Sequence, residues 1–153
     1  MKNIWIILLL FIVCNTGQAQ DVFGYWEGII TAGKEQFKFE INITEGDPTD
    51  PVVLHCRACP KLKGDIIDHR NLEKPIHFYG IINADRSINL VDSIIVFKQK
   101  YEGEVRTRYQ VHVEMKGGEP WLVGYYQDYN NKGREVKRGR IYLKRMKPAE
   151  TKA

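Results

Sequence analysis

Between residues 36 and 44 apolar and polar positions alternate without interruption. Phe37, Phe39, Ile41 and Ile43 share one face, and Lys38, Glu40 and Asn42 share the other. A period of two in aromatic and β-branched residues predicts a strand buried on one side. Residues 109–115 repeat the pattern, with Tyr109, Val111, Val113 and Met115 set against Gln110, His112 and Glu114. Neither stretch carries an apolar stripe at helical spacing. Less regular patterns place six more strands at residues 22–31, 51–56, 76–82, 87–97, 119–127 and 135–145. Residues 121–126 are apolar or aromatic on both faces, so alternation does not say which side of that strand turns inward.

Turn chemistry falls between these segments. Thr31-Ala32-Gly33-Lys34, Asn83-Ala84-Asp85-Arg86, Gly117-Gly118 and Asn130-Asn131-Lys132-Gly133 are short links rich in turn-forming residues. Pro48 and Pro51 mark a longer loop, and residues 60–75 are expected to form an irregular loop or a short helix. Eight strands with one apolar face each must hide that face in a closed barrel or a two-sheet sandwich. Consecutive short hairpins favour the all-β solution of an eight-stranded antiparallel up-and-down barrel.

Composition narrows the class further. A length of 153 residues suits one domain, and 43% apolar with 27% charged residues excludes a disordered chain. The net charge of +4 is spread among residues of both signs, so no nucleic-acid partner is expected. No apolar stretch is long enough to cross a bilayer as a helix. The first residues read as an export signal: Lys2, an apolar run over residues 4–13, then Gly17 and Ala19 at the positions a signal peptidase reads. Residues 1–19 are therefore expected to be a signal peptide, 20–146 the barrel, and 147–153 a polar tail. The destination is periplasmic or extracellular. Lipid anchoring through Cys14 is the competing expectation, although Phe11-Ile12-Val13 is bulkier than the segment that usually precedes an acylated cysteine.

Gly24-Tyr25-Trp26 in the first strand, following a signal peptide, resembles the opening of the lipocalin-like, or calycin, superfamily, which includes lipocalins and avidins. The chain is also similar to small exported lipocalin-like proteins of Bacteroidetes, which open with a Gly-Tyr-Trp-Glu-Gly-like stretch and end with a Gly-x-Ile-x-Leu-x-Arg-like one. The resemblance implies that Trp26, with Gly24, closes one end of the barrel beneath an arginine of the last strand. Arg140 and Arg145 are the candidates, and Arg145 shares the parity of Ile141 and Leu143. It also implies an interior able to hold a small molecule. The chain lacks a clear helix after the last strand and the polar biotin contacts of avidins, so no particular ligand carries over.

Several groups of residues carry candidate chemistry. Phe37, Phe39, Tyr109, Trp121 and Tyr125 are the candidate lining of a cavity for an apolar or amphipathic guest, with tyrosine hydroxyls as fixing points. Equally, an eight-stranded barrel is narrow enough for such rings to fill it. Gly24, Gly28 and Gly80 argue for room. Cys56 and Cys59, separated by Arg57-Ala58, are expected to form a disulfide in an oxidising compartment. A redox Cys-x-x-Cys at a helix start and a metal site completed by His55 or His69 are the alternatives. The basic runs 98–108 and 134–140 are expected to be solvated strand edges, interrupted by Glu102, Glu104 and Glu135. No nucleophile elbow, phosphate loop or metalloprotease motif is present, and Asp92 with Glu114 is the one carboxylate pair worth weighing. Neither an enzyme nor a cofactor is expected. Two functions follow: a barrel binding a small apolar molecule inside, or a cell-envelope interaction module with a filled core, contacting a protein partner through residues 47–51 and 61–75.

Overall fold

A computed structural model describes residues 22–49, 58–70, 75–92, 106–130 and 132–147. Its strands are β1 (Gly24–Ala32), β2 (Glu35–Glu45), β3 (Lys61–Asp68), β4 (Ile76–Ile82), β5 (Ile88–Asp92), β6 (Arg106–Lys116), β7 (Glu119–Tyr129) and β8 (Glu135–Arg145). Each pairs antiparallel with the next, and β8 returns to β1 with Trp26 opposite Arg145 and Ile30 opposite Ile141. The sheet is therefore a closed eight-stranded up-and-down barrel, and closure removes the unpaired edges that an open sheet leaves.

Alternation decides what lies inside. Trp26 and Ile30 of β1, Phe39, Ile41 and Ile43 of β2, Leu62 and Ile66 of β3, and Phe78 of β4 are buried in one cluster. Ile88 and Leu90 of β5, Tyr109 and Val111 of β6, Leu122 and Tyr126 of β7, and Ile141 and Leu143 of β8 complete it. On β7 the even-numbered residues point inward, settling the face that alternation left open. Trp26, Tyr126, Phe39 and Phe78 are the largest fully buried side chains.

One strand differs from expectation. β3 occupies Lys61–Asp68, within the segment expected to be a loop or short helix, while the strand placed at residues 51–56 lies outside the described residues. The inner face of β3 is Leu62, Gly64, Ile66 and Asp68, so a glycine and a carboxylate stand where an apolar alternation would have shown the strand. Residues 61–68 are consequently barrel wall rather than a contact loop. Residues 1–19 with Cys14, expected to be a signal peptide, residues 93–97 of the fifth expected strand, and most of the tail also lie outside the described residues.

Candidate functional site

Strands β1, β3, β5 and β7 all run from one end of the barrel to the other, so the lumen has two distinct ends. At the first, Trp26 is fully buried and its indole Nε1 donates to Val22 O at 2.9 Å. The Arg145 guanidinium lies over the ring, 5.2 Å from its centroid, and Nη2 donates to Phe23 O at 2.5 Å. Arg145 Nε passes 3.8 Å from where a Cβ of Gly24 would stand, so the bare glycine gives the arginine its path across the indole. A cation over an aromatic face contributes about 0.5–2 kcal/mol, here added to a hydrogen bond that satisfies a backbone carbonyl.

The middle of the lumen is filled by the barrel itself. Phe39 and Tyr109, on β2 and β6 four strands apart around the barrel, approach to 5.6 Å between ring centroids. A Cβ on Gly80 would collide with Leu90 Cδ2, and one on Gly28 with the backbone of Tyr142. The space those glycines leave is thus occupied by a leucine side chain and by close approach of β8, not by an open cavity.

The second end is polar, and nothing in the alternation marked it as such. Asp68, the last residue of β3, is 1% exposed, and Arg70, two residues on, has a side chain only 5% exposed. Arg70 Nε donates to Asp68 Oδ1 and Oδ2 at 3.0 and 2.9 Å, and Nη2 donates to Asp68 Oδ2 at 2.5 Å. Across the lumen, Nη1 donates to Asp128 Oδ2 of β7 at 3.2 Å, while Asp128 Oδ1 accepts from Thr107 Oγ1 of β6 at 2.7 Å. Because β3 and β7 also stand four strands apart, Arg70 is a crossbar between opposite walls. Its guanidinium stacks 3.9 Å from the Tyr126 ring centroid, and that ring fills the space above Gly139 on β8.

Electrostatics hold the crossbar charged. Burial disfavours the Arg70 guanidinium, but the hydrogen bonds and charge of Asp68, then the charge of Asp128, outweigh it and raise its pKa. Burial likewise pushes the Tyr126 phenol above its ordinary value, and the charge and hydrogen-bonding contact of Arg70 work against that shift. The Tyr126 hydroxyl is buried without a hydrogen bond of good geometry, and its polar neighbour is the Arg70 guanidinium. Among the described residues of this cluster, two carboxylates face one cation.

The residues flagged by the sequence divide between the two sides of the wall. Phe39 and Tyr109 are buried inside, and Phe37, near the Arg70 end of β2, packs half-buried against the same cluster. Trp121 and Tyr125 do not join them. Both are odd-numbered residues of β7 and stand on the outer wall, where Lys116 lies 5.9 Å from the Trp121 ring and Tyr125 donates to Gln110 Oε1. Their physical cover is cationic: Arg138 reaches the Tyr125 ring at 5.7 Å. Asp68, Arg70, Thr107, Tyr126 and Asp128 were missed. Their signal was parity, since Asp68 falls in step with Leu62 and Ile66, and Asp128 with Leu122 and Tyr126.

The remaining chemistry is dispersed. Cys59 is half-buried and Cys56 lies outside the described residues. Pro60 leads directly into β3 and its carbonyl accepts from Ile82 N at 3.1 Å, so the helix start that a redox pair would use is not at Pro60. His69 lies beyond the other end of β3, about 26 Å along an eight-residue strand, and faces Glu40 at 3.1 Å on the outer wall. It cannot share a metal with Cys59, and among the described residues no three metal-ligating side chains come together. Asp92 and Glu114 are also apart: β5 pairs Val91 with Arg108, whereas Glu114 sits opposite Trp121 at the other end of β6. Of the basic runs, Arg138 is held by Glu135 at 2.9 Å on the exposed surface.

Fold and site together define a closed antiparallel barrel, plugged at one end by Trp26 and Arg145 and crossed at the other by a buried ion cluster. No protein-family model matches this chain, and no curated protein matches it.

Proposed function

We propose that this chain is an exported lipocalin-like barrel that binds a small amphipathic molecule at the Arg70 end of its lumen. One observation carries the reading: a fully buried phenol, that of Tyr126, lies beside the ionised Arg70 and Asp128 groups inside an otherwise apolar barrel, with no hydrogen bond of good geometry to its hydroxyl. Buried polar groups are nearly always hydrogen-bonded, because an unmade bond costs about 1–3 kcal/mol. A guest with a polar head would complete the hydrogen bonding there, and Phe37, half-buried at the same end, supplies apolar contact for its body. The Trp26 plug makes the opposite end the closed one. In this reading the chain is exported to an oxidising compartment and Cys56 is disulfide-bonded to Cys59; no cofactor takes part.

Native mass spectrometry of the purified protein tests it, together with titration by medium-chain apolar probes. One adduct per chain or saturable uptake is expected; absence of both defeats the reading. The filled niches of Gly28 and Gly80 favour a second function, in which the core is solid and the barrel serves as an envelope interaction module through its outer surface. That reading requires wild-type protein to take up none of the probes.

A further inference from the structure

On the outer wall, β6, β7 and β8 bring together arginines that lie far apart in the sequence. Register sets Arg108 of β6 and Arg138 of β8 on either side of Gln127, and Gln110 and Arg140 on either side of Tyr125, one same-face step along β7. Strand spacing and rise put the three arginine Cα atoms within roughly 12 Å of one another. Aromatic rings hold two of the guanidinium groups in place: Arg138 lies 5.7 Å from the Tyr125 centroid and Arg108 lies 5.4 Å from that of Tyr129. Nearer the Trp26 end, Lys116 stands over the Trp121 and Tyr142 rings in the same way. Charge on this wall is uneven. Glu114, Glu119 and Glu135 pair with Lys116, Lys144 and Arg138. Arg108 and Arg140 are exposed and meet no carboxylate among the described residues.

From this placement we infer that the β6–β8 wall is a docking surface for a linear anionic polysaccharide, which lies along β7 with its anionic groups on Arg108, Arg138 and Arg140. Charge complementarity carries the inference: a guanidinium fork matches an oxyanion through two parallel hydrogen bonds, and two of these three forks are not engaged by an acid of the wall. Single-stranded nucleic acid gains its affinity from bases stacked on open rings, whereas Tyr125, Tyr129, Trp121 and Tyr142 already lie under cations. An anionic bilayer takes up apolar side chains, and the exposed Met115, Val136 and Met146 stand at the barrel ends rather than on this wall. The surface is independent of what the lumen holds.

Binding of the full exported chain to immobilised dextran sulfate, read by surface plasmon resonance, tests the inference, with neutral dextran, oligodeoxythymidine and phosphatidylglycerol vesicles as competing surfaces. Dextran sulfate is expected to bind saturably, more tightly than the other three, and more weakly as salt is added. Arg108→Gln, Arg138→Gln and Arg140→Gln together should weaken it about tenfold or more, because charge-assisted contacts are lost. Lys34→Gln, Lys63→Gln and Lys147→Gln together remove the same charge from exposed positions off this wall and should weaken it less than about twofold. Arg140→Gln alone, expected to weaken binding about threefold, serves if the triple variant fails to fold. Failure of dextran sulfate to bind, equal losses in the two triple variants, or tighter binding of oligodeoxythymidine or the vesicles overturns the inference, as does an Arg140→Gln variant that binds like wild type.

Discussion

Replacing Tyr126 by Phe removes one oxygen and tests whether the buried hydroxyl is a cost borne by the empty barrel. Tyr126 is 0% exposed and its hydroxyl makes no hydrogen bond of good geometry, so folding strips it of water and the nearby Arg70 guanidinium compensates only in part. An unsatisfied buried polar group of this kind costs about 1–3 kcal/mol. The ring, its packing over Gly139 and its face toward Arg70 are all retained by phenylalanine. Tyr126→Phe should therefore stabilise the guest-free protein by about 1 kcal/mol or more, seen as a rise of roughly 3–5 °C in the calorimetric midpoint for a domain of this size. Alkaline titration gives a second readout. The phenol's pKa is raised above its unfolded value by burial, against the pull of Arg70, so the folded state holds its proton more tightly. That contribution is fully present below about pH 10 and is lost as pH rises through the folded pKa, and the Phe variant should flatten this limb. A loss of stability of 1 kcal/mol or more in guest-free Tyr126→Phe would refute the reasoning, because it would mean that the hydroxyl is already satisfied.

The crossbar predicts an asymmetry between breaking and replacing. Arg70→Ala strands Asp68 and Asp128 and should cost about 3–5 kcal/mol in urea unfolding, whereas Arg70→Met combined with Asp68→Asn and Asp128→Asn should lie within about 1 kcal/mol of wild type; equal losses would deny the cluster its buried character. At the other end, Arg145→Ala removes a stacked cation and a hydrogen bond to Phe23 O and should cost about 1–2 kcal/mol by the same assay, with increased fluorescence quenching of the otherwise inaccessible Trp26. On the outer wall, hydrogen bonds from His112 and Lys116 hold the Glu114 carboxyl below its usual range, and Arg138 and Gln127 do the same for Glu135. Such depressed groups stabilise above their unfolded pKa and lose that contribution as pH falls through the folded value. The acid limb should accordingly shrink slightly in Glu114→Gln and in 1 M salt, since both groups are exposed and screened.

What the sequence determined alone was the wall. In β2, and in β6 as far as Val113, strict alternation named the inner residues, Met115 at the end of β6 being exposed, and the hairpin turns ordered the strands, because side-chain direction along a strand has a period of two whatever the strand packs against. The parity of Arg145 with Ile141 and Leu143 likewise put it on the lumen side. What only the tertiary structure decided was which polar residues share that side and what they meet there. β3 was hidden because Gly64 and Asp68 occupy inward positions. The inner face of β7 was undecidable because Trp121 and Tyr125 are as apolar as Leu122 and Tyr126. Asp68, Arg70 and Asp128 become a site only when closure brings β3 and β7 to opposite walls of a lumen narrow enough for one arginine to span. Alternation is a local property of the chain, whereas that meeting depends on strand number and register around the whole barrel, which no short stretch of sequence records.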